Sequence, residues 1–281
     1  MAAPHRPYQP GHATSQTLHH AWRTAPNSAP HLLRHLSSLS PSPRLLDVGA
    51  GPGTLATSLA SHLAPLHGHV TATDISDSVL ARAAAHAKEQ GVENISFRTA
   101  SVYELPFKDG EFDVVHAHQV LCHLDGPVEA IREMLRVTKP GGLLALREAD
   151  MKMWGFWPES EVLERFSALM ARVMVANGGE DRAGRRLVEW VLQAGVERGA
   201  VEAGFGTWCF AEEGDRRVWG IAMVERLREG QVRGKGIELG LVTEEGVEEM
   251  VKAWEEWMGR EEAVLGIVNG EVVVRKPDVR A

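Results

Sequence analysis

The chain has 281 residues, of which 44% are hydrophobic and 24% are charged, and its formal net charge at neutral pH is −8. This length can bury a full core, and the acidic balance argues against the broad basic surface that binding of nucleic acid phosphates requires. Cys122 and Cys209 are too few for a disulfide framework and lack metal-like spacing, so a reducing compartment is expected. No apolar run approaches the length of a membrane span.

The charge is unevenly distributed along the chain. Residues 1–46 contain four arginines, six histidines and no acidic residue, whereas the remainder has 26 basic against 38 acidic residues. An acid-free start of this kind is typical of a mitochondrial transit peptide, and the alternative is a folded cap over an active site. We favour the cap, which predicts a cytoplasmic protein with a mitochondrial location as the alternative.

Strands and helices alternate in the first half of the chain. Strands are predicted at 44–49, 69–76, 94–100, 111–120 and 140–150, and helices at 55–63, 78–90 and 127–137. This alternation is typical of a parallel, doubly wound α/β sheet.

Helices dominate the second half. They are predicted at roughly 159–177, 181–197, 213–229 and 243–258, with further strands near 200–210 and 264–275. The last strand contains Asn269-Gly270, a two-residue turn signal. The helices at 213–258 lie between the last two strands and form an insertion that is able to act as a lid.

A glycine-rich loop follows the first predicted strand. Gly49, Gly51 and Gly53 are spaced Gly-x-Gly-x-Gly, whereas the nicotinamide fingerprint requires a glycine where Thr54 stands. In a doubly wound sheet this loop lies at the carboxyl edge, where ligands bind. Asp47 at the end of the strand would repel a pyrophosphate, but it suits a ligand that carries a cationic amine.

A second acidic residue, Asp74, ends the second predicted strand. A carboxylate about 20 residues after the glycine loop conventionally holds ribose hydroxyls. The alternative is an N-cap for the following helix, a role for which Ser76 is at least as suitable. The spacing therefore favours ribose binding by Asp74.

Four stretches carry a resemblance to a known family: LLDVGAGPGTLA, VTATDIS, LPFKDGEFDVVHAHQVLCHLDGP and EMLRVTKPGGLLALRE, in this order between Leu45 and Glu148. With them the chain resembles class I S-adenosylmethionine (SAM) dependent methyltransferases, in particular the group similar to ubiquinone/menaquinone biosynthesis methyltransferases. The flanking HHAWRTAPNSAPHLLRHL and ANGGEDRAGRRLVEW look like one subgroup of small-molecule methyltransferases.

The resemblance implies a Rossmann-like, seven-stranded methyltransferase sheet within a single domain, residues 1–281. In this interpretation residues 1–43 form an N-terminal helical cap and residues 44–150 the SAM-binding core. Residues 151–281 form a helical, substrate-side part with the last two strands and a helical insertion before the final one.

The resemblance also implies roles for individual residues. Asp47 and the backbone of Gly49 and Gly51 match positions that hold the methionine moiety of SAM, Asp74 matches the ribose ligand, and Ile75 would contact the adenine.

One position departs from the family pattern. Where the family commonly has Gly-Asp-Val, with its acidic residue on the adenine amine, this chain has Ala100-Ser101-Val102, so a hydroxyl or backbone group replaces that contact. His116 and Gln119 match the stretch beside the methionine and sulfonium. The implied cofactor-binding set is Asp47, Gly49, Ala50, Gly51, Gly53, Asp74, Ile75, Ser101, Val102, His116 and Gln119.

The reaction demands little from side chains, because a sulfonium methyl group is already activated and mainly needs positioning in a dry cleft. An oxygen or carbon nucleophile would also need a general base. The weak candidates for this base are His118, His123, Glu148 and His20, with Asp150, His19 and Tyr8 as further possibilities. Glu148 and Asp150 can equally be solvated charges that flank a helix.

No metal is predicted. His116 and His118 project to one side of a strand, two residues apart, and His123 follows, which raises the question of a metal site. Because no carboxylate or cysteine at ligand spacing completes the set, we interpret them as core or pocket imidazoles.

The aromatic residues of the second half are the main indication of a substrate pocket. The stretch MWGFWP after the fifth predicted strand places Trp154, Phe156 and Trp157 near the mouth of the cleft. Trp208, Trp219, Trp254 and Trp257 follow, and any one of them is more often plain core than pocket lining.

The sequence therefore predicts a methyltransferase that moves a methyl group from SAM to an oxygen, nitrogen or carbon atom of a small, fairly apolar or aromatic metabolite, with no nucleic acid partner. The alternative is a protein of the same fold that binds SAM without transferring the methyl group, as a regulatory or interaction module. An NAD-dependent oxidoreductase is disfavoured by the glycine spacing, and a protein or RNA methyltransferase by the acidic charge. The acceptor, the base and the oligomeric state stay open.

Overall fold

The structure, a computed structural model, describes residues 22–278. Its strands are β1 (Arg44–Val48), β2 (His69–Asp74), β3 (Ile95–Thr99), β4 (Phe112–His118), β5 (Thr138–Trp157), β6 (Val201–Phe210) and β7 (Val264–Arg275). Its helices are α1 (Ala25–Ser28), α2 (Pro30–Leu36), α3 (Thr54–Leu63), α4 (Asp77–Glu89), α5 (Pro127–Val137), α6 (Glu161–Ala176), α7 (Ala183–Gln193), α8 (Glu213–Arg228), α9 (Gln231–Glu238) and α10 (Glu244–Met258). Short 3₁₀ turns occupy Ala64–Leu66, Leu121–His123 and Arg198–Ala200.

The strands form one seven-stranded sheet in the order β3-β2-β1-β4-β5-β7-β6. Strands β1 to β5 run parallel, as predicted, whereas β7 is antiparallel to both of its neighbours. The Rossmann-like, doubly wound fold is confirmed, but the sheet is mixed rather than wholly parallel. The order reverses between β1 and β4, and this places the loops after both strands at a ligand-binding edge.

The central strands appear in the sequence as continuous hydrophobic runs because both of their faces are buried. Leu45 and Leu46 are neighbours on β1, and both are fully buried, but on opposite faces of the sheet. Leu45 joins the cluster that includes α2 and α3, and Leu46 joins the cluster that includes α5 and α7. Helices on both faces thus bury the sheet.

A third apolar cluster lies beyond the end of the core strands. It joins the last part of β5 to the insertion helices α8, α9 and α10, and it buries Trp208, Trp219, Trp254 and Trp257. The aromatic-rich stretch was predicted to follow the fifth strand, but it is part of β5, which pairs with β7 as far as Trp157. Helix α9 was not predicted, because four glycines and several charged residues at 228–240 obscure its period.

The predicted turn at Asn269-Gly270 is wrong, because both residues lie inside the uninterrupted strand β7. Asn269 pairs with Ala149 on β5 and with Gly206 on β6, so the neighbouring strands on each side hold the backbone extended. A side chain on Gly270 would collide with the backbone of Gly184 in α7. The glycine therefore permits close approach of a helix rather than a turn.

Within residues 22–278, no helix combines the length and apolar character needed to cross a lipid bilayer.

Candidate active site

The glycine loop between β1 and α3 has the backbone conformation that its sequence indicates. Gly49, Gly51 and Gly53 all have positive φ, at 71°, 56° and 80°. A Cβ on Gly49 would lie 2.5 Å from Val120 Cγ2, and one on Gly53 would lie 2.5 Å from Ala83 Cβ. Among residues 22–278, a Cβ on Gly51 would meet no atom within 4 Å. Gly49 and Gly53 thus allow the loop to pack closely against its neighbours, and Gly51 borders open space that a ligand can enter.

The carboxylate of Asp74 connects the glycine loop to the loop that follows β2. Its Oδ2 accepts a hydrogen bond from Gly51 N at 3.0 Å, and its Oδ1 accepts one from Ser76 N at 3.1 Å. The side chain of Ser76 caps α4, so the helix has its N-cap without Asp74. Beside it, Ile75 leaves 56% of its surface exposed.

The loop after β3 approaches the same edge of the sheet. Ala100 N donates to the backbone oxygen of Asp74 at 3.0 Å, which fixes Ser101 and Val102 near the carboxyl end of β2. Ser101 Oγ accepts a hydrogen bond from Tyr103 N at 3.3 Å. Both Ser101 and Val102 are half-buried. Ser101, which stands where the family commonly has an acidic residue, therefore lies at this edge of the sheet. Its hydroxyl is hydrogen-bonded to the nearby backbone.

Asp47 and His116 form a buried pair. They are register partners on β1 and β4, and Asp47 Oδ1 lies 2.7 Å from His116 Nδ1. Their residue exposures are 2% and 0%, so this carboxylate interacts with the imidazole away from bulk water. Within the described part of the chain, His116 Nε2 has no hydrogen-bond partner.

Gln119 follows β4 in a left-handed conformation with φ 54°, an uncommon state for a residue other than glycine. Its backbone N donates to Arg147 O at 2.8 Å. Its side-chain Oε1 accepts from Arg23 Nη2 at 2.6 Å, and its Nε2 donates to Asn269 Oδ1 at 3.3 Å. Three distant parts of the chain thus hold Gln119 at the end of the strand, one through its backbone and two through its side chain.

Glu148 is fully buried, which contradicts the alternative of a solvated charge that flanks a helix. Its carboxylate accepts from the backbone N of Val120 at 2.9 Å, of Leu121 at 2.8 Å and of Cys122 at 3.2 Å. Burial raises the pKa of Glu148 to about 7, against the lowering effect of these amides. Glu148 therefore secures the loop after β4.

Asp150 is buried as well, so the same alternative is wrong for this residue. Its Oδ1 accepts from Arg185 Nη2 at 2.8 Å, so the carboxylate is tied to α7. The third candidate on this side, His123, lies in the 3₁₀ turn that Glu148 secures. Burial, followed by the charges of Arg226 and Arg23, lowers the pKa of His123 to about 4, so the imidazole is neutral at pH 7.

His118 ends β4 on the same face as His116, with ring centres 6.5 Å apart. Burial and the guanidinium groups of Arg23 and Arg147 hold the pKa of His118 well below its ordinary value. His20, His19 and Tyr8 lie outside the described residues. Among residues 22–278, no group of three or more His, Cys, Asp or Glu side chains is placed to hold a metal ion.

Several residues at this edge were not singled out from the sequence. The segment before α1 contributes Arg23, the first two helices contribute Asn27 and His31, and the strands β5 and β7 contribute Arg147 and Glu271. Arg147 is the one with a local signal, because an arginine inside the run LLALRE is unexpected in a buried strand. The others become recognisable only when the cap covers the sheet.

Comparison with known proteins identifies the family. A family model described as "Methyltransferase domain" matches residues 46–146. Over 266 residues the chain is 30% identical to an uncharacterized methyltransferase of Schizosaccharomyces pombe, and the match covers 92% of each chain. The chain belongs to the methyltransferase family.

Two further similarities are shorter or more distant. The chain is 36% identical over 132 residues to the ubiquinone/menaquinone biosynthesis C-methyltransferase UbiE of Ectopseudomonas mendocina, covering 47% of this chain and 48% of that one. The fold is similar to that of phosphoethanolamine N-methyltransferase 2 of Haemonchus contortus, solved in complex with phosphomonomethylethanolamine and S-adenosylhomocysteine. That match has a TM-score of 0.54 at 15% identity and covers 94% of this chain and 58% of that one.

These findings confirm the predicted family and SAM as its cofactor, and the residues present fit this molecule. Gly51 borders open space, the carboxylate of Asp74 lies beside it, and Ile75 offers an exposed apolar surface. Ribose hydroxyls and an adenine ring are groups that such surroundings suit.

Proposed function

We propose that this protein is an SAM-dependent methyltransferase that methylates an oxygen, nitrogen or carbon atom of a small molecule, working as one domain over residues 1–281. The observation that carries the proposal is the arrangement around Gly51, where an open backbone position lies 3.0 Å from the carboxylate of Asp74. Membership of the methyltransferase family supports it.

In this proposal Asp74 binds the ribose hydroxyls and the backbone of Gly49, Ala50, Gly51 and Gly53 follows the outline of the cofactor. Ile75 covers one face of the adenine, and Ser101 with Val102 borders its edge. Asp47 provides the negative charge for the methionine amine, oriented by its 2.7 Å contact with His116. Gln119 lies beside the sulfonium.

The cofactor supplies an activated methyl group, so the chain's own task is to position the acceptor and exclude water. Among the candidate bases, His118 is neutral at pH 7 and lies at the end of β4 beside Gln119. Glu148 is occupied by three backbone amides, which favours a positioning role for it. His123 is neutral but lies in the 3₁₀ turn that Glu148 secures. His20 stays a prediction from the sequence.

Calorimetric titration with S-adenosylhomocysteine tests the cofactor site. We expect micromolar binding to the wild type and a loss of affinity of about tenfold or more in Asp74→Ala, because a charge-assisted hydrogen-bond pair is removed. Asp113→Ala is the matched control. Asp113 also accepts a backbone amide, that of Arg44 at 2.9 Å, but it lies at the opposite edge of the sheet.

Wild-type protein that is folded and does not bind S-adenosylhomocysteine would contradict the proposal. Binding without methyl transfer from labelled SAM to any of a broad panel of small acceptors would favour the alternative of a regulatory or interaction module. The cytoplasmic location stays a prediction, and detection of the tagged full-length chain in mitochondria would contradict it.

A further inference from the structure

A buried basic cluster lies next to Gln119, at the end of β4. We call it the Trp208 cluster, and its members are Trp208, Arg23, Arg147, His118 and Asn27. The guanidinium carbons of Arg23 and Arg147 lie 5.2 and 5.1 Å from the centre of the Trp208 ring, and the ring centre of His118 lies 5.6 Å from it. The backbone oxygen of Asn27 accepts from Trp208 Nε1 and from Arg147 Nη1, each at 2.8 Å.

The positive charge of Arg147 is poorly compensated. The residue is fully buried, and its closest carboxylate contact is a long one, from Nε to Glu271 Oε1 at 3.4 Å. Within the described residues, Arg147 Nη2 has no hydrogen-bond partner. Burial lowers the pKa of Arg147 to about 10 and raises the pKa of Glu271. A buried guanidinium in this state costs folding free energy, which a bound anion would offset.

His118 adds a second unsatisfied polar group. Its Nε2 is buried and has no hydrogen-bond partner among the described residues. After burial, the groups that lower the pKa of His118 most are Arg23 and Arg147, followed by His116 and His31. An anion would therefore meet two cations and a neutral imidazole that can donate a hydrogen bond.

The cluster is adjacent to the position where the methyl group is delivered in the proposed function. Arg23 Nη2 donates to Gln119 Oε1 at 2.6 Å, and Gln119 is the residue assigned to the sulfonium side. Arg23 and His118 are 8% and 7% exposed, so these two side chains are the more accessible members beside the more deeply buried Trp208 and Arg147. A bound sulfonium would place a further positive charge next to two arginines, which favours a negatively charged acceptor.

We propose that the Trp208 cluster binds the methyl acceptor through an acidic oxygen held as an oxyanion, either a carboxylate or an acidic phenolate or enolate. This inference rests on the proposed function and names its substrate class. A lone pair of the oxyanion forms the new O–C bond to the methyl carbon, and the electron pair of the S–C bond passes to sulfur. The products are a methyl ester or methyl ether and S-adenosylhomocysteine. The negative charge of the oxyanion and the positive charge of the sulfonium are both lost in the transfer. No proton has to be removed in this step, so no general base is required.

Binding of fluorinated probes to the protein saturated with S-adenosylhomocysteine tests this proposal by ¹⁹F NMR titration. The first pair of probes is 4-fluorobenzoate with its neutral counterpart 4-fluorobenzamide. The second is 2,3,5,6-tetrafluorophenolate with tetrafluoroanisole. We expect at least one anion to bind tenfold or more tightly than its neutral counterpart, and the tighter anion distinguishes a carboxylate from a phenolate acceptor.

Three variants locate the effect. Arg147→Gln and Arg23→Gln are each expected to reduce the preference for the anion about tenfold while S-adenosylhomocysteine still binds. Arg23 lies in the cap and carries the test if the fully buried Arg147 variant does not fold. Arg186→Gln is the matched control, since Arg186 also lies over a tryptophan ring, 5.3 Å from the centre of Trp190, but on α7 away from β4.

Equal binding of each anion and its neutral counterpart, or no saturable binding of either by the loaded wild type, would overturn the inference. So would an unchanged preference in both Arg23→Gln and Arg147→Gln. Because the titrations begin from protein shown to bind S-adenosylhomocysteine, these results leave the proposed function standing. Failure of the loading step would instead overturn the proposed function.

Discussion

Single glycines divide the loop after β1 into positions that serve folding and a position that serves binding. Gly53 has φ 80°, and a Cβ there would approach Ala83 Cβ to 2.5 Å, so α3 and α4 depend on its small size. Gly51 has φ 56°, but a Cβ there would enter open space. Both positions disfavour side chains through their backbone, and only one of them has a neighbour in the way.

Gly53→Ala and Gly51→Ala should therefore separate stability from binding. We expect Gly53→Ala to lower the free energy of unfolding by about 2–4 kcal/mol, since left-handed strain adds to overpacking. Gly51→Ala should cost only about 1–2 kcal/mol, yet it should weaken S-adenosylhomocysteine at least tenfold by filling ligand space. Urea unfolding and calorimetry measure the two quantities. Similar losses of stability in both variants, with binding retained in Gly51→Ala, would contradict this division.

At the scale of elements, residues 22–36, which include α1 and α2, form a cap that is attached on two sides of the sheet's carboxyl edge. Trp22 Nε1 donates to Asp215 Oδ1 on α8 at 2.7 Å, and its ring lies 4.8 Å from Phe210 at the end of β6. On the other side, Ala25 N donates to Ser58 Oγ on α3 at 2.9 Å. The cap thus connects the loop region with the insertion helices.

Trp22→Ala is expected to loosen this cap without unfolding the sheet. Losing a half-buried tryptophan and its hydrogen bond should cost about 2–3 kcal/mol. Amide hydrogen exchange of residues 25–36 should then accelerate about tenfold or more, while that of β1 and β4 stays slow. Trp157→Ala is the control, because 58% of Trp157 is exposed. Unchanged exchange in the cap would mean that Trp22 does not anchor it.

The predicted elements show where local sequence is sufficient. Strand β1 and helices α4 and α5 lie within one or two residues of their predicted bounds, because their burial period and caps are local properties. Asn269-Gly270 and the MWGFWP stretch were misread, since pairing with strands far along the chain extends both segments. Asp74 and Gly51 were predicted from spacing, whereas Arg23 and Glu271 required knowledge of which elements meet.

At the scale of the whole molecule, buried ionisable groups couple stability to pH. The pKa values of His31, His118 and His123 are lowered, in each case chiefly by burial, and for His123 to about 4. Below about pH 6.5 the unfolded chain binds protons that the folded chain does not, so stability is lost as the pH falls. Glu148 and Glu271 act in the opposite sense, because burial raises the pKa of each. The pKa of Glu148 is raised from 4.5 to about 7, so its contribution is lost as the pH rises between these values.

We therefore expect the free energy of unfolding to decrease from pH 6.5 towards pH 5, with the three histidines outweighing Glu148 and Glu271. Each proton bound only by the unfolded chain contributes about 1.4 kcal/mol per pH unit. His31→Asn should make this slope shallower by up to one proton, because burial lowers the pKa of His31 in the folded chain. Denaturant unfolding at several pH values measures the slope. Stability that is level or rising towards acid in the wild type would contradict the expectation.

The sequence by itself determined the doubly wound core, the glycine loop, the position of Asp74 and the methyltransferase family, because each depends on patterns within a few tens of residues. Tertiary structure alone decided that Glu148 and Asp150 are buried, that β7 runs unbroken through Asn269, and that the cap brings Arg23 next to Arg147 around Trp208. These features arise from contacts between residues more than a hundred positions apart or from burial under distant elements. No local period or spacing encodes them, since burial and charge balance are properties of the assembled molecule.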